Sequence, residues 1–243
     1  MVGGHHELRL VEAALAEARG VFPQDPDLAL LEGSLLLDQG RFADALPSLA
    51  LAAKGRDAEP QFQLSWAYAA LQAGDHSLGQ QAASRALAHL GNGPDVTDAV
   101  AQAHLLLGLA LAGKGEPLAA ASHLGHAGVP PGARSLAARL QLAHGDPASA
   151  AALFVELGSA GELPASDLAS AALALGLSGR ASEAGPLLER APEGAERTLA
   201  LGQLALLAGK PTDALQALAP LAPTSLEGAE RALHAALKAR ALR

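Results

Sequence analysis

The sequence lacks cysteine and isoleucine, and its aromatic residues are one Trp, one Tyr and four Phe. The absence of cysteine excludes a disulfide framework and a thiolate metal site. The scarcity of aromatic and β-branched residues argues against a β-sheet core. The chain is nevertheless 50% hydrophobic, so its core must consist of Ala and Leu, which are strong helix formers. The composition therefore predicts an all-α protein.

Positive charge is also scarce, since the formal net charge is −8 and only four residues are Lys. This balance argues against nucleic acid as a partner, because a nucleic-acid binder needs clustered Lys and Arg. The apolar region 99–113 is interrupted by Gln102 and His104, so we expect no membrane insertion. The N-terminus lacks the basic start and long apolar run of a signal peptide, which favours a cytoplasmic protein. Few Lys, a single Asn and no Ile are typical of a GC-rich, bacterial genome.

One stretch resembles a nucleotide-binding P-loop: residues 108–115 read Gly-Leu-Ala-Leu-Ala-Gly-Lys-Gly. The residue after Lys114 is Gly115, however, so no Ser or Thr hydroxyl is available for Mg²⁺. The residues before Gly108 also have a helical pattern, whereas a P-loop follows a strand. We therefore interpret Gly108 as a helix-packing position and Gly115 as a turn.

The same local pattern recurs six times along the chain. A helical apolar run ends at a glycine, a small residue lies seven positions before it, and Ala or Gly follows five positions after it. An apolar residue, in one repeat only Ala83, follows at nine positions. The turn glycines are 30 to 41 residues apart, and they are Gly40, Gly74, Gly115, Gly145, Gly179 and Gly209. A period near 34 residues with two helices in each repeat is typical of a helical repeat protein.

These features resemble the tetratricopeptide repeat family over about residues 26–223. Leu107-Gly108 and Leu201-Gly202 match its Leu-Gly element, although Trp66 stands in the Leu position and the family's first-helix Trp is absent. The resemblance implies an all-α, right-handed superhelical solenoid of stacked helix-turn-helix repeats. We expect a single domain over residues 1–243, with a leading half-repeat helix at about 6–25, six helix pairs over 26–223 and a capping helix over 224–243.

Several helix ends are also predicted. Pro117, Pro147 and Pro211 each follow a turn glycine by two residues, which suits the first turn of a helix. The last helix is predicted to begin with Thr224 or Ser225 as its N-cap, and Thr224 would form a capping box with Glu227. We expect a loop at 91–94, and a polar outer face on the capping helix formed by Glu227, Glu230, Arg231, Lys238 and Arg240.

No residue set predicts catalysis. His123 and His126 could form half of a metal site, but no third ligand follows at a suitable spacing, so we interpret them as isolated surface histidines. No nucleophile motif is present, and no Ser, His and Asp are brought together by the sequence. We expect no enzyme activity, no catalytic or metal-binding residues and no cofactor.

The tetratricopeptide resemblance implies that the first helix of each pair lines a concave groove. This groove would be mostly apolar, with one Tyr and one Arg, and would suit a helical or extended segment of a partner protein. Each leucine could instead simply pack against a neighbouring repeat. The groove candidates are Leu30, Ser34, Leu37, Leu64, Tyr68, Leu105, Leu109, Ser135, Arg139, Leu173, Leu199 and Gln203.

The resulting hypothesis is a non-catalytic scaffold or adaptor that binds a segment of another protein in this groove. The alternative is a homo-oligomerisation module whose groove is filled by the terminal helix of another copy. An enzyme or small-ligand binder whose site is hidden in the groove is a third interpretation, which would need several polar side chains pointing to one place.

Overall fold

The computed structural model describes residues 3–56, 58–91 and 96–242, with side chains in the first helix from residue 9 onward. The described residues form fourteen α-helices and contain no strand, which confirms the all-α prediction. The chain divides into two compact units, 1–129 (unit 1) and 130–243 (unit 2). Whether the two units act as the single domain expected from the sequence stays a prediction.

Unit 1 contains seven helices, of which the first is a leading helix and the others form three pairs. Their bounds are α1 (Gly3–Val21), α2 (Pro26–Asp38), α3 (Phe42–Ala52), α4 (Pro60–Gln72), α5 (His76–His89), α6 (Thr97–Gly113) and α7 (Pro117–Leu124). The members of each pair pack on one another, and α4 also packs on α6, which is the first helix of the next pair.

Unit 2 contains three further pairs and a terminal helix. Their bounds are α8 (Pro131–Ala143), α9 (Pro147–Ser159), α10 (Leu168–Leu177), α11 (Ala181–Arg190), α12 (Ala195–Leu207), α13 (Pro211–Leu218) and α14 (Gly228–Ala241). The first helices α10 and α12 pack on each other, and α14 packs on both α12 and α13.

The six predicted turn glycines all adopt the left-handed backbone conformation, with φ between 71° and 87°. Each one ends the first helix of a pair. Residues with a Cβ are strained in this region, whereas glycine adopts it at little cost. The six pairs of helix, glycine turn and helix are therefore confirmed.

The small residue seven positions before a turn glycine allows the two helices of a pair to touch. A methyl group on Gly108 would lie 2.6 Å from Cγ of Leu124, and one on Gly202 would lie 2.8 Å from Cγ of Leu218. Such distances are too short for a carbon–carbon contact. Gly108 also lies inside the continuous helix α6, so the structure supports packing rather than phosphate binding at residues 108–115.

The predicted helix starts are partly confirmed. Pro117, Pro147 and Pro211 lie in the first turn of α7, α9 and α13. The capping box at Thr224 is wrong, because Thr224 lies in a 3₁₀ turn (Pro223–Ser225), and α14 begins only at Gly228, with no side-chain cap. Residues 92–94 of the predicted loop lie outside the described residues.

The predicted polar face of α14 is also only partly correct. Arg231 and Arg240 are exposed, but Glu230 and Lys238 are half-buried. The outward positions between these charges are occupied mainly by alanine, together with Leu233, which is 37% exposed. The outer face of α14 is therefore largely apolar.

Candidate functional site

An apolar cleft in unit 2 brings together three of the residues predicted to line a groove. Leu173 on α10 and Leu199 and Gln203 on α12 all line a cleft of about 410 Å³, here called the unit 2 cleft. Its walls come from the first helices α8, α10 and α12 and from α14. Seven of its eleven lining residues are Ala or Leu, so its floor offers mainly apolar surface. The remaining lining residues are Ala143, Ala169, Ser170, Glu196, Ala200, Ala229, Glu230 and Leu233.

One side of the unit 2 cleft is acidic. Glu196 and Glu230 line both this cleft and an adjoining hollow of about 280 Å³, which is also lined by Glu193 and Arg197. The carboxylates of Glu193, Glu196 and Glu230 form no ion pair with a cation in the described part of the chain. The cleft therefore combines an apolar floor with unpaired negative charge.

Unit 1 contains a more polar cleft, which also includes three of the predicted residues. Leu30, Ser34 and Leu37 on α2 line a cleft of about 410 Å³ together with residues of α3 and α4. Asp38 and Glu59 are among its other lining residues, and only four of its nine lining residues are apolar. This cleft offers less apolar surface to a partner than the unit 2 cleft does.

Three of the predicted groove residues are buried, and one of them, Leu199, is only 4% exposed and packs in a core cluster with Leu218 and Leu237, although it also lines the unit 2 cleft. Leu64 is only 1% exposed, so it is a core residue and offers no surface to a partner. Ser135 is equally buried, and its hydroxyl donates a hydrogen bond to the buried carboxylate of Asp167. Arg139, whose side chain is 48% exposed, also contacts Asp167, at 3.4 Å. Ser135 and Arg139 thus partner a buried acid that sequence reasoning missed, because Asp167 lies in another repeat.

Three further groove candidates lie on unit 1 helices. Tyr68 on α4 is 44% exposed and makes an edge-to-face contact with Phe42, with ring centroids 5.6 Å apart. Leu109 on α6 is 40% exposed, and Leu105 is half-buried. Tyr68 and Leu109 therefore offer accessible surface, as a partner contact requires.

A cluster of three histidines lies between α6 and α7. The Nδ1 atoms of His104 and His123 are 3.0 Å apart, and the rings of His104 and His126 stack with centroids 4.1 Å apart. The interpretation of His123 and His126 as isolated surface histidines is therefore wrong. The missing partner was His104, which lies on the other helix of the pair, and no local spacing could reveal it.

The histidine cluster disfavours positive charge. Burial, followed by the charges of His126 and His123, lowers the pKa of His104 to about 4. Burial and the charge of His126 also lower the pKa of His123. At neutral pH one Nδ1 of the His104–His123 pair donates and the other accepts. Within the described residues, no group of three or more His, Cys, Asp or Glu side chains is arranged to hold a metal ion.

Comparison with solved structures identifies the fold. PilF of Pseudomonas aeruginosa matches over 87% of this chain and 96% of its own, with 17% identity and a TM-score of 0.52. PilW, described as a type IV pilus biogenesis factor, matches over 85% of this chain and 96% of its own, with 16% identity and a TM-score of 0.50. A tetratricopeptide repeat protein from Parabacteroides merdae covers 98% of this chain and 94% of its own, with 16% identity and a TM-score of 0.48.

The similarities to PilF and PilW, together with the six glycine-turn helix pairs, confirm a tetratricopeptide-like fold. No protein-family model matches the sequence, and no curated protein matches it either. In the part of the chain that the structure describes, no helix has both the length and the apolar character needed to cross a bilayer.

Proposed function

We propose that this protein is a non-catalytic scaffold or adaptor that binds a segment of a partner protein in the unit 2 cleft. The observation that supports this proposal is the convergence of Leu173, Leu199 and Gln203 on one apolar cleft. Helical repeat proteins use the surfaces of their stacked helices for such binding.

The chemistry of the cleft specifies the kind of segment that fits it. Its apolar floor matches the apolar face of an amphipathic helix or of an extended segment. The unpaired carboxylates of Glu196 and Glu230 favour a segment with Lys or Arg beside its apolar anchors. The expected partner is therefore a protein segment that combines leucine-like anchors with positive charge.

The experiment compares two substitutions on the same helix. Leu173→Glu places a charge in the cleft, whereas Leu177→Glu changes a leucine that is one turn further along α10, is exposed and does not line the cleft. Each tagged variant is recovered from the cells that make the protein, and co-purifying proteins are identified by mass spectrometry. Circular dichroism establishes that each variant is folded.

We expect wild type and Leu177→Glu to capture the same foreign protein and Leu173→Glu to lose it. Ser170→Tyr fills the cleft without adding a charge and should also lose the captured protein. This variant replaces Leu173→Glu in the test if Leu173→Glu fails to fold. Equal capture by a folded cleft variant and by wild type would contradict the proposal.

A second candidate function is the assembly of copies of this chain. The observation that favours it is the largely apolar outer face of α14, because an exposed apolar face suits contact with another protein surface. Capture experiments that recover only further copies of the chain would support this function over the first.

A further inference from the structure

Two histidines of unit 1 direct ring nitrogens at each other from different helices. His104 lies on α6 and His123 on α7, which are the two helices of one pair, and their Nδ1 atoms are 3.0 Å apart. Both nitrogens cannot carry a proton in such a contact, so at least one Nδ1 presents a lone pair. Both side chains are half-buried, which places the contact within reach of solvent. These two rings are here called the histidine pair.

The separation of the two nitrogens matches that of neighbouring ligands on a metal ion. Because a metal–nitrogen bond to histidine is about 2.0–2.1 Å long, an ion bound to both Nδ1 atoms at their present separation has an N–metal–N angle of about 95°. Tetrahedral Zn²⁺ prefers a wider angle, for which the nitrogens would have to lie roughly 3.3 Å apart. An angle near a right angle is typical of square-planar and tetragonal ions such as Cu²⁺.

The third histidine of the cluster does not converge on the same point. The ring of His126 is nearly parallel to that of His104, with an angle of 11° between the planes and centroids 4.1 Å apart. The lone pairs of imidazole lie in the plane of the ring, so stacked rings direct them along separate planes. The described residues accordingly contain no cluster of three metal-binding side chains. A site at the histidine pair therefore has two protein ligands.

We propose that His104 and His123 bind a Cu²⁺ ion through their Nδ1 atoms, with water molecules in the remaining positions. Imidazole is a suitable ligand for copper, and Cu²⁺ generally has the highest affinity among the divalent first-row ions. The two rings, whose centroids are 5.2 Å apart, turn from their present contact so that both lone pairs face the ion. The neutral ring that loses its proton from Nδ1 takes up a proton at Nε2, so binding requires no net release of protons.

The bound ion would join the two helices of one repeat pair. The two histidines are 19 residues apart in the sequence and come together only in the folded chain. An ion that binds the folded form alone stabilises it. Cu²⁺ should therefore raise the melting temperature of the chain and slow hydrogen exchange in α6 and α7. The histidine pair does not line the unit 2 cleft, so this proposal and the proposed function are tested separately.

The experiment is titration of the full chain with copper(II) chloride, followed by isothermal calorimetry and electron paramagnetic resonance. His5 and His6 are adjacent in the sequence and could bind the same ion, so the parent chain and all variants carry His5→Ala and His6→Ala. We expect the parent to bind one Cu²⁺ ion with the resonance signal of two nitrogen ligands. His104→Gln and His123→Gln should each weaken binding at least about tenfold, and the double substitution should weaken it little more than either alone.

Two control variants separate the histidine pair from other histidines. His144→Gln removes an exposed histidine at the end of α8, and His126→Gln removes the stacked ring; both should bind Cu²⁺ as the parent does. Circular dichroism establishes that each variant is folded. Equal binding by the parent and by both variants of the histidine pair would mean an adventitious ion only and would overturn the proposal. An equally large loss in His126→Gln or His144→Gln would overturn the assignment of the two ligands.

Discussion

The two units hold their clusters of polar side chains in different ways. In unit 1, half-buried His104 contacts both His123 and His126, and positive charge on these histidines would be repulsive. In unit 2, the buried carboxylate of Asp167 accepts a hydrogen bond from Ser135 and lies beside the guanidinium of Arg139. Unit 1 should therefore respond to acid at its histidines, whereas unit 2 depends on keeping Asp167 and its partners together.

In both units, however, the two helices of a pair touch at a glycine. Substitution of that glycine should therefore cause the largest loss of stability, and a similar loss in each unit. Gly108→Val in unit 1 or Gly202→Val in unit 2 forces a side chain against Leu124 or Leu218, with contacts that begin near 2.6 and 2.8 Å. Overpacking of this kind should lower the free energy of unfolding by about 3 kcal/mol. Urea denaturation of the full chain measures it.

The matched control is Gly185→Val. Gly185 lies within α11, has no neighbouring heavy atom within 4 Å of an added Cβ, and does not adopt a positive φ. Its substitution should change the free energy of unfolding by less than about 0.5 kcal/mol. An equally large loss in all three variants would show that the close contacts do not determine the cost.

A smaller loss of stability is expected when Asp167 is substituted, and it should be confined to unit 2. Asp167→Asn keeps the size of the side chain but replaces charge-assisted hydrogen bonds to Ser135 and Arg139 with weaker ones. We expect unit 2 to lose about 1–2 kcal/mol of stability. Hydrogen exchange measured by mass spectrometry should show faster exchange in α8 and α10 and no change in α6 and α7.

Asp146→Asn is the control for this substitution. Asp146 caps α9 by accepting a hydrogen bond from the backbone N–H of Ser149, and its carboxylate is exposed. Asn caps helices about as well as Asp, so stability should change little. Equal changes in stability for Asp167→Asn and Asp146→Asn would show that the buried contacts of Asp167 stabilise unit 2 no more than an exposed helix cap does.

The smallest expected effect is the acid sensitivity of unit 1. The pKa of His104 in the folded protein is lowered to about 4, below its ordinary value of 6.5. An unfolded chain therefore binds a proton at His104 at a higher pH than the folded chain does, so stability falls as the pH decreases from about 6.5 to about 4. His104→Gln should remove a few degrees of the decrease in melting temperature between pH 7 and pH 5.

The part of the chain that loses stability at low pH tests whether the histidine cluster is the cause. Amide protection factors, which correct for the slower intrinsic exchange at low pH, should decrease in α6 and α7 of the wild-type chain between pH 7 and pH 5, and much less so in His104→Gln. An identical pH profile for wild type and variant would show that the histidine cluster does not penalise protonation.

The sequence could predict the features that depend on local spacing. The glycine turns, the close contacts of Gly108 and Gly202 and the prolines in first turns all follow from residues within one repeat. It could not predict the contact of Asp167 with Ser135, or that of His104 with His123, because these residues lie on different helices and no periodicity relates them. The start of α14 was misjudged because Thr224 has the composition of an N-cap but lies in a 3₁₀ turn.

The candidate site was predictable to a similar extent. The resemblance to tetratricopeptide repeats implied that Leu173, Leu199 and Gln203 face a groove from first helices, and in the structure they line one cleft. The same reasoning selected Leu64, which is buried, because a first-helix position does not distinguish a leucine in the core from one at the surface. The contribution of α14 to the cleft was missed, because that helix belongs to no repeat pair.

The most direct test of the central claim is photo-crosslinking from inside the unit 2 cleft. A benzophenone amino acid replaces Gln203, which lines the cleft, or Leu207, which lies one turn further along α12, is exposed and does not line it. After illumination in the cells that make the protein, the crosslinked products are identified by mass spectrometry. The account predicts a crosslink from position 203 to a basic, leucine-containing segment of one foreign protein, and none to that protein from position 207. The absence of any foreign crosslink from position 203, or equal crosslinking from both positions, would contradict it.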